Sequence, residues 1–533
     1  MAINWPPLSQ GAGTGTTYTA PSPGSNLWTW SGYAWGSTGT TSSGGFGSPW
    51  VIFNSEGKAV AYTTLPAAIA GATSGQTINL FTDATEYPTS GNHVVFDKDI
   101  NINLNGNTYT LDVRFDPVIT DGDNIIANNF NVVNVKISNG KIALTNVTNG
   151  KFVNLIRETR SGTEPSSSNW VFSSAIFEVN SGTGRVGSFY SSVSGGTFYH
   201  SGDGVAFAAY HTSPPTVSLT IYRDITATSV NNTAIDMSGG FDDSMTLAIN
   251  CKGYSYKYSE FDNFAGIVIA STLEPRNRYR AIGCLGANLA IGTYGVSYGL
   301  MIYGSCSKAI HSVGHSLNGG GMFSDESCLI HCTGDGLNQS AGCSFFSLGG
   351  SSLRRCTSGS NNNIIGLRTT GLYFVGGVLG DRIENCNFNG EYGIYGPGGD
   401  SGNYINIYNT TVRGQIYGVY YEDAGYKLKL INSLVGPKSP LVDSGTNVYA
   451  FGYVPIIIGG TGSIIVNNVI EATGKSYAIR NGTYAPFQAI RVLISGNTCI
   501  NTYGLYLTSP SDLIVQGMTI PISTKNLIYG QPI

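Results

Sequence analysis

A short pattern returns through the C-terminal half of the chain. Ile383-Glu384-Asn385-Cys386-Asn387-Phe388-Asn389-Gly390 leads to Gly393-Ile394-Tyr395, and Ile407-Tyr408-Asn409-Thr410-Thr411-Val412-Arg413-Gly414 leads to Gly418-Val419-Tyr420. Echoes occur at Ile431-Asn432-Ser433-Leu434-Val435-Gly436 and at Ile494-Ser495-Gly496-Asn497-Thr498-Cys499-Ile500, the latter leading to Gly504-Leu505-Tyr506. The unit is apolar-x-Asn-x-x-apolar, a Gly, then Gly-apolar-Tyr, about 23 to 24 residues long. A unit this short cannot bury its own apolar face, so it is stable only when stacked on its neighbours. Its runs alternate with period two, as in Ile100-Asn101-Ile102-Asn103-Leu104-Asn105 and Lys427-Leu428-Lys429-Leu430-Ile431, which signals strands. Coils of about 20 to 25 residues, each holding two or three short strands about 4.8 Å from the next, make a right-handed parallel β-helix. The expected fold class is all-β, a solenoid.

Composition agrees with that fold. Charged residues are 11% of the 533, against about 25% in an average soluble chain, while glycine numbers 72. Stacked core columns need apolar or hydrogen-bonded side chains, and tight corners need Gly or Asn for positive φ, so both displace charge. The cysteines keep the period: Cys284, Cys306 and Cys328 are 22 apart, and Cys332 and Cys356 are 24 apart. Nine cysteines without a paired C-x-x-C framework imply reduced thiols. A net charge of −4 offers no field for nucleic acid, and no run of about 18 apolar residues is present to cross a membrane. The opening Met1-Ala2-Ile3-Asn4-Trp5-Pro6-Pro7 lacks the regions of a secretory signal, so export by the general route is not expected.

Residues 1–50 read differently. Ser, Thr and Gly tracts surround Trp5, Trp28, Trp30, Trp35 and Trp50, with no charged residue, which suggests a small β-rich head. Residues 51–82 read as a cap helix at Leu65–Ala72 running into a first strand at Gly75–Phe81, because an open first coil would expose an apolar core and unpaired backbone groups. Residues 83–533 read as coils running close to the C-terminus.

The helix Tyr62-Thr63-Thr64-Leu65-Pro66-Ala67-Ala68-Ile69-Ala70 and the following Ser74-Gly75-Gln76-Thr77-Ile78-Asn79-Leu80 lead into Gly/Asn-rich coils. They are preceded by Tyr18-Thr19-Ala20-Pro21 and Trp28-Thr29-Trp30-Ser31-Gly32-Tyr33-Ala34-Trp35. Together they resemble a bacteriophage tailspike or tail fibre. The coil part of the resemblance spans roughly residues 55–525 and is a pattern shared with pectate lyases and other β-helix proteins. The resemblance implies a homotrimer that recognises host surface polysaccharide by its lateral surface or tip. It also implies attachment to other phage tail or baseplate proteins through the head, with Trp5, Trp28, Trp30 and Trp35 as the attachment residues. A virion protein assembled in the host cytoplasm and released by lysis needs neither signal nor disulfides. Many tailspikes end in a separate trimerising domain, for which this chain leaves no room. The alternative on the same fold is a depolymerase, an endoglycosidase or lyase that cleaves the polysaccharide. A secreted bacterial polysaccharide lyase is a third reading, against which the absent signal and the Trp-rich head argue. No cofactor and no membrane insertion are expected.

Stacking sets a rule for glycosidase chemistry. Equivalent positions on adjacent coils lie about 5 Å apart, the separation of a retaining carboxylate pair, and positions two coils apart lie about 9 to 10 Å apart, near the inverting separation. Asp236 and Glu260 are 24 residues apart, Asp242, Asp243 and Asp262 lie close to them in sequence, and Tyr254, Tyr256 and Tyr258 supply flat faces between. Those five carboxylates are the catalytic candidates, with solvated turn residues as the alternative. Tyr392, Tyr395, Tyr417 and Tyr420 suit either glycan contact or packing between subunits. A lyase would need basic residues near its substrate, and Arg276, Arg278 and Arg280 are the dense basic group. Cys328, His331 and Cys332 with His311, His315 and Cys343 offer zinc-ligand chemistry. Residues four apart on a strand sit about 13 Å apart, however, so stacked buried thiols account for them and no metal is expected. Gly295-Val296-Ser297-Tyr298-Gly299 matches a nucleophile elbow but lacks the strand-to-helix turn that motif needs.

Overall fold

The computed structural model describes the backbone strands Thr17–Thr19, Leu27–Trp30 and Trp35–Ser37. It then describes residues 48–87, 94–112, 125–127, 134–145, 154–157, 169–179, 182, 185–189, 192–209, 219–238, 245–258, 264–270, 278–291, 297–304, 307–336, 342–348, 350–358, 369–375, 382–396, 404–421, 427–438, 453–458, 462–473, 477–481, 492–502, 505–506 and 513–519. The three head strands form an antiparallel sheet, with Thr29 opposite both Thr17 and Gly36. The rest is a parallel β-helix, and the chain divides into two compact units: residues 1–209 with 220–227, and residues 210–219 with 228–533.

In the first unit, Trp50–Phe53 runs antiparallel to both Ala59–Tyr62 and Thr77–Leu80 and covers the edge of the first coil. Trp50, which composition groups with the head, is fully buried in this strand. The cap helix spans Leu65–Gly71. Thr64 caps it by accepting from the Ala67 N–H, and Pro66 sits in the first turn, where a missing N–H costs nothing. Leu65, Ala68 and Ile69 face inward. Glu86 ties this cap together: its carboxylate accepts from Trp50 Nε1 at 2.9 Å, from the Leu65 N–H at 2.8 Å and from the Tyr109 hydroxyl at 3.0 Å. Burial outweighs those three donors and pushes its pKa above the usual carboxylate value. Further along, the core is aromatic, with Phe177 on Phe198 at 5.0 Å and Phe189 on Phe207 at 5.2 Å.

In the second unit each coil contributes to three parallel ladders. The first face runs from Ile235–Ser238 through Ala265–Ala270, Ser297–Tyr303, Gly319–Asp325, Gly342–Leu348 and Thr369–Val375. The second runs from Met245–Ile249 through Arg278–Ile282, Lys308–Ile310, Cys328–Ile330, Ser352–Arg354, Arg382–Glu384, Tyr404–Tyr408 and Lys427–Ile431. The third begins Lys252–Ser255, Leu285–Asn288, Val313–Ser316 and Thr333–Gly336. Coil length is not constant: Lys308 pairs with Cys328, 20 residues on, whereas Lys429 pairs with Ile464, 35 residues on.

Two devices shape each coil. Between the second and third faces the chain turns on one residue in the left-handed region. That column contains Asn250, Gly283, His311, His331, Arg355, Asn385, Asn409, Asn432, Asn467 and Gly496, with φ from 48° to 64°. The repeated Asn of the sequence motif is this corner, because Gly, Asn and His tolerate positive φ best. The next residue points inward and satisfies the turn of its neighbour. The Cys386 N–H donates to Thr410 Oγ1 at 3.4 Å, Thr410 N–H to Ser433 Oγ at 3.2 Å, Ser433 N–H to Asn468 Oδ1 at 2.8 Å, and Asn468 N–H to Asn497 Oδ1 at 2.9 Å. Where the third and first faces meet, backbones touch. A Cβ on Gly286 would run into the carbonyl oxygen of Gly299, and one on Gly314 into that of Gly321, so close approach requires glycine there.

The eight described cysteines are free thiols, seven of them buried. Cys332, Cys356 and Cys386 stack at the inner corner, and Cys251 and Cys284 occupy the same column. Cys328 does not: it lies on the outer side of the second face, so its spacing of two periods from Cys284 does not reflect stacking.

Candidate functional site

The first face carries an outward aromatic ladder. Phe323, Phe346, Tyr373, Tyr395 and Tyr420 are successive register partners. Their ring centroids lie 5.4, 5.1, 5.3 and 5.4 Å apart, close to the strand spacing of about 4.8 Å, with Tyr373 and Tyr395 tilted and the other pairs stacked. Gly-apolar-Tyr is thus legible as seam glycine, inward core residue and outward ring. Tyr392 and Tyr417 join at the ladder's side, 5.4 Å apart, and Tyr417 is only 4% exposed. Four of the sequence candidates therefore form one cluster. Its rings pack against one another partly face-on and partly edge-on.

Asp236 is half-buried on the outer side of the first face, where its carboxylate accepts from the Ser238 N–H at 2.9 Å and from the Ser238 hydroxyl. The residue stacked on it is Val268. Insertions lengthen this coil to 32 residues between Ile235 and Ile267, so a separation of 24 does not bring two side chains into register here. Asp242, Asp243, Glu260 and Asp262 lie outside the described residues, as do Trp5 and Arg276; of Trp28, Trp30 and Trp35 only the backbone is described. Tyr254 is half-buried on the third face, Tyr256 is exposed and Tyr258 half-buried. Ser297 is buried at the start of a strand, with its hydroxyl on the Asn318 carbonyl at 3.0 Å, so it is no elbow nucleophile.

The second face is basic. Its strands in the second unit carry Arg278, Arg280, Lys308, Arg354, Arg382, Lys427 and Lys429, against one carboxylate, Glu384. Arg280 and Lys308 are direct register partners. Glu384 accepts from Arg382 Nη2 at 2.8 Å and lies 3.6 Å from Arg354 Nε, and the arginines hold its carboxyl below the usual range. Lys427 and Lys429 lie over the rings of Tyr404 and Tyr408, at 5.3 and 5.7 Å. Arg278 and Arg280 share one strand, as do Lys427 and Lys429; the others are tens of residues apart, and stacking alone aligns them in one row.

The third face and its corner hold His311, His315 and His331. His315 Nδ1 lies 3.1 Å from Asp335 Oδ2 on the next coil, and Asp335 is nearly buried. At the corner, His311 and His331 stack at 4.8 Å, and Arg355 Nη1 donates to His331 Nε2 at 3.2 Å. Cys328, His331 and Cys332 point to the second face, the corner and the interior respectively, so they do not converge. Among the described residues no group of three His, Cys, Asp or Glu side chains is placed to hold a metal ion.

No protein-family model matches the chain, and no curated protein matches it in sequence. Two solved structures align over most of its length. The A-module of the Azotobacter vinelandii mannuronan C-5 epimerase AlgE6 is 11% identical, with a TM-score of 0.29 over 80% of this chain and 91% of that one. An arginine-to-alanine mutant of the PL6 family alginate lyase AlyGC is 8% identical, with a TM-score of 0.19 over 87% of this chain and 98% of that one. Likenesses this distant transfer no chemistry.

Proposed function

We propose that the chain recognises a linear cell-surface polysaccharide on the outer surface of its second unit, as the attachment protein of a phage virion. The observation that carries this reading is the one-residue corner between the second and third faces. No loop interrupts the outer surface there, and like positions recur at about 4.8 Å along the coils. A regular polymer laid along them meets equivalent contacts at each step. A compact ligand would gain nothing from the repetition. The tailspike resemblance supplies the remainder of the reading: a homotrimer carried on the virion, held through residues 1–50 to other tail or baseplate proteins, and assembled in the host cytoplasm.

A second reading, cleavage of the bound glycan, draws on the His315–Asp335 pair. A general base needs a partner that fixes its ring, and a nearly buried carboxylate on Nδ1 does this. One experiment addresses both. Purified chain is incubated with candidate capsule and O-antigen polysaccharides, binding is followed by biolayer interferometry, and the products are sized. Attachment predicts saturable binding with the polymer length unchanged. Fragments that vanish in His315→Gln would establish cleavage. Absence of binding to every glycan, together with a monomer mass by light scattering, would overturn the attachment reading.

A further inference from the structure

We infer, resting on the reading above, that the polysaccharide is acidic and lies along the second face of the second unit, its anionic groups held by the row that includes Arg280, Lys308, Arg354, Arg382 and Lys429.

The distribution of charge is the first reason. The whole chain is negative, at −4, yet the strands of this face carry seven cations and one carboxylate. The third face is balanced by comparison. There Arg413 reaches across the intervening coil to Glu471 at 3.1 Å, over Gly436, whose Cβ would collide with the guanidinium. His315 has Asp335. A basic face beside a self-neutralised one is not the product of composition.

Energetics is the second reason. Like charges directly opposite on neighbouring strands repel, and Arg280 and Lys308 have that relation with no acidic partner among the described residues. Arg354 and Arg382 share one carboxylate, and their side chains stay 49% and 55% exposed while doing so, so each keeps donors for a second anion. Among the described residues nothing within the face offsets this repulsion fully; a bound polyanion would.

Spacing selects the class of polyanion. The central column carries a cation on four of seven successive coils, Arg280, Lys308, Arg382 and Lys429, with Cys328, Ser352 and Asn406 between them, or about one per 8 Å on average. A polymer with one charge every one or two sugar rings presents anions at a comparable, sparse interval. Duplex DNA carries one charge per about 1.7 Å of axis, which this row would leave mostly unneutralised in a protein of net negative charge. The aromatic rings on this face lie beneath Lys427 and Lys429, so their outer sides are not open for bases to stack on.

The test uses the full chain and five immobilised probes: polygalacturonate, its methyl ester, hyaluronate, dextran and a short DNA duplex. The acidic glycans should bind, with affinity falling at least about tenfold between low and high salt, and methyl esterification should abolish binding of the same backbone. The variant Lys308→Gln/Arg382→Gln/Lys429→Gln should lose at least about tenfold for the acidic glycans, whereas Lys308→Arg/Lys429→Arg should keep wild-type binding, which separates loss of charge from loss of fold. Equal, salt-insensitive binding of dextran and polygalacturonate, unchanged in the triple variant, would overturn the acidic assignment while leaving polysaccharide recognition standing. Tighter binding of DNA than of either acidic glycan would overturn it in favour of a nucleic acid. Failure to bind any glycan, here and in the capsule and O-antigen panel, would remove the underlying reading as well.

Discussion

The first and second faces of the second unit are built by the same device with opposite consequences. Stacking places like side chains next to one another, so Phe346 meets Tyr373 on one face and Arg280 meets Lys308 on the other. Stacked rings attract, each aromatic pair contributing about 0.5 to 1.5 kcal/mol beyond the area it buries. Stacked cations repel. The aromatic ladder is therefore explained by stability alone, whereas the Arg280–Lys308 pair is a feature that folding does not reward. The ladder that opposes the fold is the better guide to function.

That contrast can be broken by mutation, and the largest effect belongs to the attractive ladder. Phe346→Ala should cost about 3 kcal/mol in denaturant unfolding by opening a gap between Phe323 and Tyr373, without changing glycan affinity. A loss below about 1 kcal/mol would mean that the rings are not stacked as described. The inner polar ladder should behave in the same sense. Asn497→Ala strips the Asn468 N–H and side-chain amide of their acceptor and should cost about 2 kcal/mol by the same assay. Corner residues come next: Asn409→Ala keeps a positive φ without the Asn compensation and should cost about 1 kcal/mol.

The repulsive row should show the reverse sign. Lys308→Gln should leave stability unchanged or raise it by about 0.5 kcal/mol, and added salt should stabilise the wild type more than the variant. If Lys308→Gln destabilises by more than about 1 kcal/mol, the row has a structural role and the contrast fails. Glu86 of the first unit gives a single-carboxylate reference. Its pKa is raised in the folded chain, so its contribution is fully present below the unfolded value and is lost as pH rises through the folded one. The stability difference between wild type and Glu86→Gln should therefore decline on going from about pH 4 to 7, and a rise over that window would contradict the burial described.

How much of this was legible in sequence follows from which residues carry the geometry. Asn385, Asn409 and Asn432 announce the corner, and Gly393-Ile394-Tyr395 announces seam, core and outer ring, because each position admits few residue types. His311, His331 and Arg355 occupy the same corner without looking like it, so the pattern fades where the coil shortens to 20 residues. A fixed period placed Glu260 over Asp236, whereas the actual coil sets Val268 there. Lys308, Arg354, Arg382 and Lys429 were invisible as a group for the same reason. Register decides which residues meet, and variable coil lengths hide the register. Sequence spacing points to carboxylates; the cation row emerges only from stacking.

The most direct test is the affinity of the full chain for a linear acidic polysaccharide with and without Lys308→Gln/Arg382→Gln/Lys429→Gln, at constant fold judged by circular dichroism. The account predicts saturable wild-type binding and at least about tenfold weaker binding by the variant, with the difference shrinking at high salt. Equal affinity of the two proteins at low salt would contradict it.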